Sequence, residues 1–578
     1  MKKKTLAMLV SISVLEVNSH VAWAETDFWN CADNFWGANA CWLNLTAPTK
    51  LDSVYLRPIS LGGGLYGDGT LRLGAETTAG AANRLEIDSD GKLRSVGFIQ
   101  SGGSLAITTL QIVGVNGTGS YTLSNGTNTA ELLNLASGPS GNGAYSLLNG
   151  VLASNRESIG TMGTGTFMQS GGTNTVATTL IVGHNASGNG TYRLVAGSLA
   201  AGAEYVGYTG TGTFEQVSGT HTTSTLTLGY QHAVNLPPSS GTFRLGGGSL
   251  IVSDNEIIGS SGRGTFEQTG GSHSAKSLTF ADNSLASSGG YSLTNGSLTV
   301  NFDETIGRHG AGSFTQSGGT HTAKNLKLAE GSGSGSYAMN GGSLSVANNE
   351  TIGRLGAGTF TQTGGTHTVG NTITLHAKGT YNLTGGTLSA ATIAFSGGGA
   401  FDFTGGTLAV GHFRGSLVNA GGTLAPGASP GVTTIWGDYS QSVASAFSAE
   451  IGGLIAGTQY DQLNVDGTAV LDGKLQVSLY GSFVPQAGSY FDILTAEVIL
   501  GSFASFESAT LGSGLAWQVS YLQDVDGTSL DVVRLRVAEV AAPVPEPRTY
   551  AMLLAGLGML GFMLRLREER RGLMAAPK

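Results

Sequence analysis

The sequence predicts an all-β protein whose body is a parallel β-solenoid (β-helix), and composition is the first observation behind that prediction. Of 578 residues, 93 are glycine and only 12% are charged, whereas an average globular chain has about 7% glycine and about 25% charged residues. A hydrophobic content of 40% argues against disorder, which needs low hydrophobicity and high net charge. Apolar residues that alternate with Ser, Thr and Asn between glycines indicate short strands joined by tight turns.

The second observation is an aromatic repeat with two forms, in which successive anchor residues lie 20 to 29 positions apart. One form has Gln two residues after a Phe anchor, mostly as Gly-x-Phe-x-Gln, and is anchored at Phe98, Phe167, Phe214, Phe266, Phe314 and Phe360. The other has Leu or an equivalent two residues after its anchor, at Tyr121, Tyr145, Tyr192, Phe243, Tyr291, Tyr337, Tyr381 and Phe401. Repeats of this length are typical of stacked architectures. The anchors therefore predict about fourteen rungs, a rung being one complete coil of the solenoid.

The third observation is that the two forms alternate strictly over residues 167–381. With period-two alternation inside each repeat, every strand should stack on its counterpart one rung away, at about 4.8 Å. Tyr291, Leu293 and Leu298 are expected to face inward, and glycine pairs such as Gly318-Gly319 to form the corners. A row of β-sandwiches is the alternative, but it requires antiparallel hairpin patterning and does not explain the alternation.

Histidines recur on alternate rungs, seven residues after their Phe anchors. They are His221, His273, His321 and His367. Alternate rungs lie about 10 Å apart, whereas imidazoles that share a zinc ion must each come within about 2.1 Å of it. The intervening rungs carry leucine at the equivalent position, so we predict a His–Leu ladder that serves packing.

Glutamates and glutamines recur in the same way. They are Glu157, Glu204, Glu256, Glu304 and Glu350, and Gln169, Gln216, Gln268, Gln316 and Gln362. Paired-carboxylate catalysis needs two groups about 5–10 Å apart in one cleft, so an evenly repeated glutamate predicts a turn or edge position instead. Each glutamine is expected to satisfy a backbone group near its corner. The sequence thus predicts no catalytic, cofactor or metal site.

Residues 1–24 predict a secretory signal peptide. Three lysines precede an apolar stretch, and Ala22 and Ala24 supply the small residues of a cleavage site. Residues 25–90 are predicted to form an aromatic-rich N-terminal cap, with contact to sugars as the alternative role of its aromatic side chains. Cys31 and Cys41 are predicted to form a local disulfide in an oxidising compartment, with free buried thiols as the alternative.

The C-terminal segment, residues 541–578, combines three elements in a fixed order. Val544, Pro545, Glu546, Pro547 and Thr549 come first, an apolar run follows, and the basic end has Arg565, Arg567, Arg570 and Arg571. The prolines cannot propagate a helix, and the arginines should keep this end cytoplasmic. The segment resembles the PEP-CTERM sorting signal, which implies recognition by an exosortase after transient anchoring in the inner membrane of a Gram-negative bacterium. An ordinary single-pass membrane anchor is the alternative.

The body resembles exported proteins as well. The solenoid, predicted over residues 91–425, is similar to PEP-CTERM-associated repeats and, more loosely, to the β-helical passengers of autotransporters. Residues 422–431, 460–465 and 491–496 resemble the last part of such passengers, so residues 426–540 are predicted to form a C-terminal β-domain. Within it, the sequence Asp524-Val525-Asp526-Gly527 is expected to form a hairpin turn, since a calcium loop requires further ligands.

These observations predict an exported, non-enzymatic structural or interaction protein of the cell envelope or the extracellular matrix. The resemblance implies a location at the cell surface or in the matrix, with exopolysaccharide or biofilm association. A net charge of −9 argues against nucleic acid as a partner, because phosphate binding needs basic patches. The alternatives are a carbohydrate-active β-helix enzyme, such as a lyase or hydrolase, and a surface adhesin.

Overall fold

The chain folds into a parallel β-solenoid of about fifteen rungs, followed by one apolar helix. The computed structural model describes residues 10–11, 53–58, 69–73, 80–89, 96–231, 238–427, 429–540 and 549–572. The predicted all-β class, the parallel solenoid and the C-terminal helix are confirmed.

The N-terminal strands are β1 (Val10–Ser11), β2 (Ser53–Pro58), β3 (Gly69–Leu73) and β4 (Gly80–Ile87). The strands of the regular rungs are β5 (Val96–Gln100), β6 (Ser104–Val113), β7 (Thr118–Leu123), β8 (Thr127–Leu135), β9 (Asn142–Leu147), β10 (Val151–Ile159), β11 (Thr164–Gln169), β12 (Thr173–Val182), β13 (Asn189–Leu194), β14 (Ser198–Val206), β15 (Thr211–Gln216), β16 (Thr220–Leu228), β17 (Ser240–Leu245), β18 (Ser249–Ile258), β19 (Arg263–Gln268), β20 (Ser272–Phe280), β21 (Ser288–Leu293), β22 (Ser297–Ile306), β23 (Ala311–Gln316), β24 (Thr320–Leu328), β25 (Ser334–Met339), β26 (Ser343–Val346), β27 (Glu350–Ile352), β28 (Gly358–Gln362), β29 (Thr366–His376), β30 (Gly379–Leu383), β31 (Thr387–Ser396), β32 (Ala400–Phe403) and β33 (Thr407–Arg414). The C-terminal elements are β34 (Leu417–Asn419), β35 (Thr423–Leu424), β36 (Val432–Ile435), β37 (Tyr439–Gln441), β38 (Ala446–Ile451), β39 (Gln462–Leu471), β40 (Lys474–Leu479), β41 (Tyr490–Gly501), β42 (Ser505–Ser508), β43 (Leu515–Leu522), β44 (Asp531–Glu539) and helix α1 (Thr549–Gly572).

Each regular rung consists of one short strand that carries the aromatic anchor and one long strand. Every strand pairs in parallel with its counterpart on the next rung, so that in β21 and β23 Tyr291 aligns with Phe314. The long strands have a shift in register near their middle, as between Val300 and Asp303 of β22. Such irregularities bend a strand, and here they let one long strand cover two faces of the rod.

The aromatic anchors form one continuous stack along the axis. The centroids of successive rings lie 4.5–5.5 Å apart from Phe98 to Phe401. The first thirteen rings are at most 3% exposed. The ring spacing matches the distance between neighbouring strands, so parallel pairing in register stacks the rings directly. Each anchor identified in the sequence therefore marks one rung of the solenoid.

The C-terminal strands continue the stack and then close it with an antiparallel sheet. β39 pairs in parallel with β41, and β38 with β40. β44 then pairs antiparallel with both β41 and β43. The expected turn joins β43 to β44 and contains a short 3-10 helix, Val525–Gly527.

At the N-terminus, β2 pairs in parallel with β4, and β1, which lies within the predicted signal peptide, pairs antiparallel with β2. Some predicted features lie outside the described residues. They are the cleavage residues Ala22 and Ala24, the cysteines Cys31 and Cys41, the N-terminal aromatic cluster, and Val544, Pro545, Glu546 and Pro547 of the sorting segment.

Candidate functional site

The C-terminal helix α1 presents an apolar surface that none of the described residues covers. Residues 550–570 are long and apolar enough to cross a membrane, with a mean hydropathy of 1.3, and none of them is buried. Tyr550, for example, is 80% exposed. A continuous exposed apolar surface of this size is typical of a segment that contacts lipid.

The predicted sorting residues that the structure describes all lie on α1. Thr549 is its first residue, and Arg565, Arg567, Arg570 and Arg571 lie in its last two turns. Cations near a helix C-terminus complement the helix dipole, and arginines beside an apolar span favour the cytoplasmic side. Thus the helix separates an apolar stretch from a basic end, as the sequence predicts.

The second candidate site is inside the rod, and it corrects one sequence-based expectation. The repeated glutamates were expected at turns or edges, and this is wrong. Glu157, Glu204, Glu256, Glu304 and Glu350 are at most 1% exposed. They point inward because a polar side chain on the next rung meets each carboxylate.

The unit around His321 shows the arrangement. His321 Nε2 lies 2.8 Å from Glu304 Oε2 of the preceding rung. Its Nδ1 lies 3.0 Å from the hydroxyl of Tyr337 on the following rung, and that hydroxyl donates to Gln316 Oε1 at 2.6 Å. The imidazole also stacks on Phe314, with the ring centroids 4.8 Å apart. One histidine thereby connects three successive rungs.

Equivalent units recur along the rod, and we call the series the polar ladder. Its histidine members are Glu204–His221, Glu256–His273, Glu304–His321 and Glu350–His367, with Nε2–Oε2 distances of 2.8 Å in the first three and 3.2 Å in the last. Full hydrogen-bond geometry is present at His273; in the other three the atoms are within ion-pair distance but poorly directed. The ladder is therefore held by close imidazole–carboxyl contacts and ring stacking as much as by directed hydrogen bonds.

Towards the N-terminus the ladder changes its chemistry but keeps its geometry. Asn174 Nδ2 donates to Glu157 Oε2 at 3.1 Å, and Asn128 Nδ2 donates to Gln111 Oε1 at 3.1 Å. The same two facing positions on neighbouring rungs are thus occupied by two amides, by an amide and a carboxyl, or by an imidazole and a carboxyl.

The glutamines behave as predicted and have a further role. Gln316 Nε2 donates to the carbonyls of Gly319 and Ser343, at 3.3 and 3.0 Å, so the expected backbone contact at the corner is confirmed. Its Oε1 also accepts the Tyr337 hydroxyl. Burial raises the pKa of Tyr337 well above its ordinary value, so that hydroxyl stays protonated and remains a donor.

The predicted His–Leu ladder is confirmed in register, since His321 aligns with Leu298 on one side and Leu344 on the other. Packing alone does not account for it, because each imidazole also meets a carboxylate. Among the described residues no group of three His, Cys, Asp or Glu side chains is placed to hold a metal ion.

Glu157 gives the ladder a pH-dependent contribution to stability. Burial raises the pKa of its carboxyl from 4.5 to about 7, although hydrogen bonds from Asn174 and Ser154 oppose the shift. A raised pKa means that the fold favours the protonated form. The contribution is complete below the ordinary pKa of 4.5 and is lost as the pH rises through about 7.

Replacing Glu157 with glutamine, which resembles the protonated carboxyl, should remove this dependence. We expect the variant to match the wild type near pH 4.5 and to exceed it by about 3 kcal/mol at pH 8. Urea midpoints measured across that pH range test the expectation. Glu131→Gln, at an exposed site one rung earlier, should leave the wild-type dependence intact. A Glu157→Gln variant with the wild-type profile would contradict it.

One unit of the ladder is incomplete because its aromatic anchor lacks a hydroxyl. Phe243 occupies the position that tyrosine holds beside His273, His321 and His367, and its ring lies 5.9 Å from the His221 ring, much as at the other sites. His221 Nδ1 and Gln216 Oε1 consequently have no hydrogen-bond partner, although both are buried.

Phe243→Tyr should supply the missing donor and stabilise the protein by about 1–2 kcal/mol, because two buried polar atoms gain a partner. Phe266→Tyr is the matched control. Its hydroxyl would face Leu245 and Leu250 of the preceding rung, so it should destabilise by about 1–3 kcal/mol. Urea unfolding of both variants decides the matter, and a shift of the same sign in both would contradict our assignment of the ladder.

Comparison with known sequences identifies the C-terminal site. Residues 543–571 match the profile of the PEP-CTERM protein-sorting motif. No curated protein matches the chain. The match includes α1 up to Arg571 and the segment just before it, and it confirms the resemblance seen in the sequence. It identifies the sorting signal and leaves the solenoid to be interpreted from its structure.

Proposed function

We propose that this chain is an exosortase-processed, exported rod that serves as a structural or interaction protein of the cell envelope or extracellular matrix. The observation that carries the proposal is the sorting motif at residues 543–571, which includes an apolar, uncovered helix with a basic end. Such a motif implies an exported protein that is anchored transiently before processing. The solenoid fits a structural or surface role because it is long, regular and stabilised by contacts between neighbouring rungs.

A non-enzymatic role is part of this proposal. The repeated glutamates and histidines are the side chains that a hydrolase or lyase would use. They are at most 1% exposed and face one another across neighbouring rungs. A polysaccharide cannot reach groups inside the rod, so these observations support a scaffold over a catalyst.

The final location that we propose is the surface or matrix of a Gram-negative cell, in association with exopolysaccharide. In support, the outward positions of the short strands are rich in hydroxyl and amide side chains, such as Thr361 and Asn382 on adjacent rungs. Surfaces of this composition offer many donors and acceptors to a hydrated polymer.

The test of the sorting proposal uses Pro545→Ala together with Pro547→Ala in the native host. We expect wild-type protein to lose residues 551–578 and leave the membrane fraction, and the variant to stay uncut and membrane-bound, because the Pro-Glu-Pro signature of the sorting motif is lost. Intact mass and cell fractionation, with and without the host exosortase, give the readout. Pro139→Ala, at an exposed corner of the solenoid, is the control and should sort normally. Wild-type protein that still carries Lys578 would overturn the proposal.

A further inference from the structure

A cluster of aromatic side chains lies on the outside of the rod, where the long strands of three successive rungs end. His184, Tyr208 and Tyr230 each follow the glycine that closes a long strand, and Tyr205 lies beside them on β14. We call these four residues the aromatic corner. Tyr208 stacks on Tyr230 at 4.9 Å and meets His184 edge-on at 5.5 Å, while Tyr205 lies 5.2 Å from Tyr208. All four are only half-buried.

The aromatic corner interrupts the repeat. On the preceding rung the equivalent position holds Thr161, and on the following rungs it holds Ser260, Asp282 and Arg308. The core does not require these rings, since the aromatic stack inside the rod continues past them without a break. Aromatic side chains grouped on a surface, away from the core, mark a site of interaction.

Polar groups flank the aromatic corner on its N-terminal side. Ser158 Oγ lies 3.1 Å from His184 Nδ1 and 3.0 Å from Thr161 Oγ1. Burial and the nearby Arg156 guanidinium lower the pKa of His184, so the imidazole stays neutral and Arg156 carries the local positive charge. Within the described part of the chain, Arg156 has no carboxylate at ion-pair distance.

The longest interval between anchors adjoins this cluster. It separates Phe214 from Phe243 and measures 29 residues. Gln231, next to Tyr230, accepts a hydrogen bond from the Ser239 amide at 2.7 Å, so Ser239 lies beside the residue that follows Tyr230. Insertions on a regular scaffold are common places for binding function.

We propose that the aromatic corner binds a strand of acidic polysaccharide, whose sugar rings contact the tyrosines and whose carboxylates pair with Arg156. The inference rests on the exopolysaccharide association proposed above and gives it a location. Charge complementarity selects the acidic class: the chain has a net charge of −9, so an anionic polymer needs a local cation, and arginine pairs with carboxylates through two parallel hydrogen bonds. The four rungs involved span about 14 Å, enough for a short run of linked sugars along the rod.

The experiment measures retardation of the full purified chain in native gels that contain polygalacturonate, alginate or hyaluronan, with dextran as the neutral polymer. We expect retardation by at least one acidic polymer and none by dextran. Tyr208→Ala and Tyr230→Ala should each weaken it about tenfold, and Arg156→Gln should weaken it too. Tyr480→Ala removes a tyrosine that is 50% exposed outside the cluster, and it should leave retardation unchanged. Urea midpoints equal to that of the wild type exclude loss of folding as the cause.

Three outcomes would overturn the inference: no retardation by any acidic polymer, equal retardation by dextran, or unchanged binding in both tyrosine variants. Failure here is distinguishable from failure of the sorting proposal, because the sorting test reads location and mass alone. A chain that is sorted correctly but ignores acidic polymers refutes the binding site, while a chain that binds them but is never processed refutes the sorting assignment.

Discussion

Replacing Gly289 with alanine is expected to destabilise the solenoid severely, whereas the same change at its neighbour Gly290 should be tolerated. A Cβ on Gly289 would lie 2.1 Å from the carbonyl oxygen of Ile258, the last residue of β18, and 3.1 Å from the amide nitrogen of Ala281. Both neighbours are backbone atoms within the stack and cannot rotate away. At Gly290 the nearest atom is the flexible Ser313 Oγ, at 3.4 Å.

We expect Gly289→Ala to cost about 4 kcal/mol or more, in the range that marks a serious structural conflict. Gly290→Thr should instead stabilise by about 0.5–1 kcal/mol, because the change removes a flexible glycine from a strand and threonine favours strands. Thr265 already occupies the aligned position on the neighbouring rung. Urea midpoints, with far-UV circular dichroism to detect unfolding, distinguish the two. Equal effects of the two substitutions on the urea midpoint would mean that the corner can accommodate a Cβ at Gly289, contrary to these distances.

The same conflict accounts for part of the chain's glycine content. Gly143, Gly190, Gly241 and Gly335 occupy the equivalent position, and each would place a Cβ within 2.2 Å of the carbonyl oxygen of the last residue of an earlier long strand. The corner brings two backbones together so closely that no side chain fits. Part of the glycine content, which looks like a statistical property of the sequence, therefore follows from a backbone contact that recurs along the rod.

The sequence predicted the stack because the information is local and repeated. Each rung has its own anchor, and spacing alone aligns Tyr291 with Phe314. The sorting signal was predictable for a related reason, since it is a short linear motif whose parts are neighbours in the chain.

The polar ladder was missed because its partners are on different rungs. A charged side chain is seldom fully buried, so Glu304 considered alone is expected at the surface. Only the structure shows that His321 lies beside it. A signal was nevertheless present. The partner follows the inward carboxyl or amide by 17 residues at Glu204, Glu256, Glu304 and Glu350, and also at Gln111 and Glu157. A constant offset between two recurring polar residues would have revealed the pairing.

The aromatic corner could be predicted only in part. Tyr230 stands out in the sequence because it adjoins the longest interval between anchors. His184 and Tyr208 come from two other rungs, and only the register of the strands brings all three together.

His321→Leu is expected to cost about 3–5 kcal/mol, because it leaves the buried Glu304 carboxylate without its partner. The double variant with Glu304→Leu should recover most of that loss. Each new leucine would then lie between leucines of the neighbouring rungs at the aligned positions. These neighbours are Leu298 and Leu344 for residue 321, and Leu278 and Leu326 for residue 304. Replacing a buried ion pair with apolar residues is often neutral or stabilising, by about 1–4 kcal/mol.

A double-mutant cycle on urea midpoints measures the coupling, which should reach about 3 kcal/mol, the upper end of the usual range for residues in contact. Tyr337 still donates to Gln316 in every variant, so the Tyr337 hydroxyl does not become an unpaired donor in any arm of the cycle. Additive single effects would show that the imidazole and the carboxylate are held independently of each other. Strong coupling together with a stable double variant would mean that the ladder specifies the register of the strands more than it adds to stability. If the strands slipped by one rung, Glu304 would face a leucine. If they slipped by two rungs, it would face a histidine again. The double variant should accordingly be more susceptible to limited proteolysis within β22 to β25, where no polar pair specifies that register any longer.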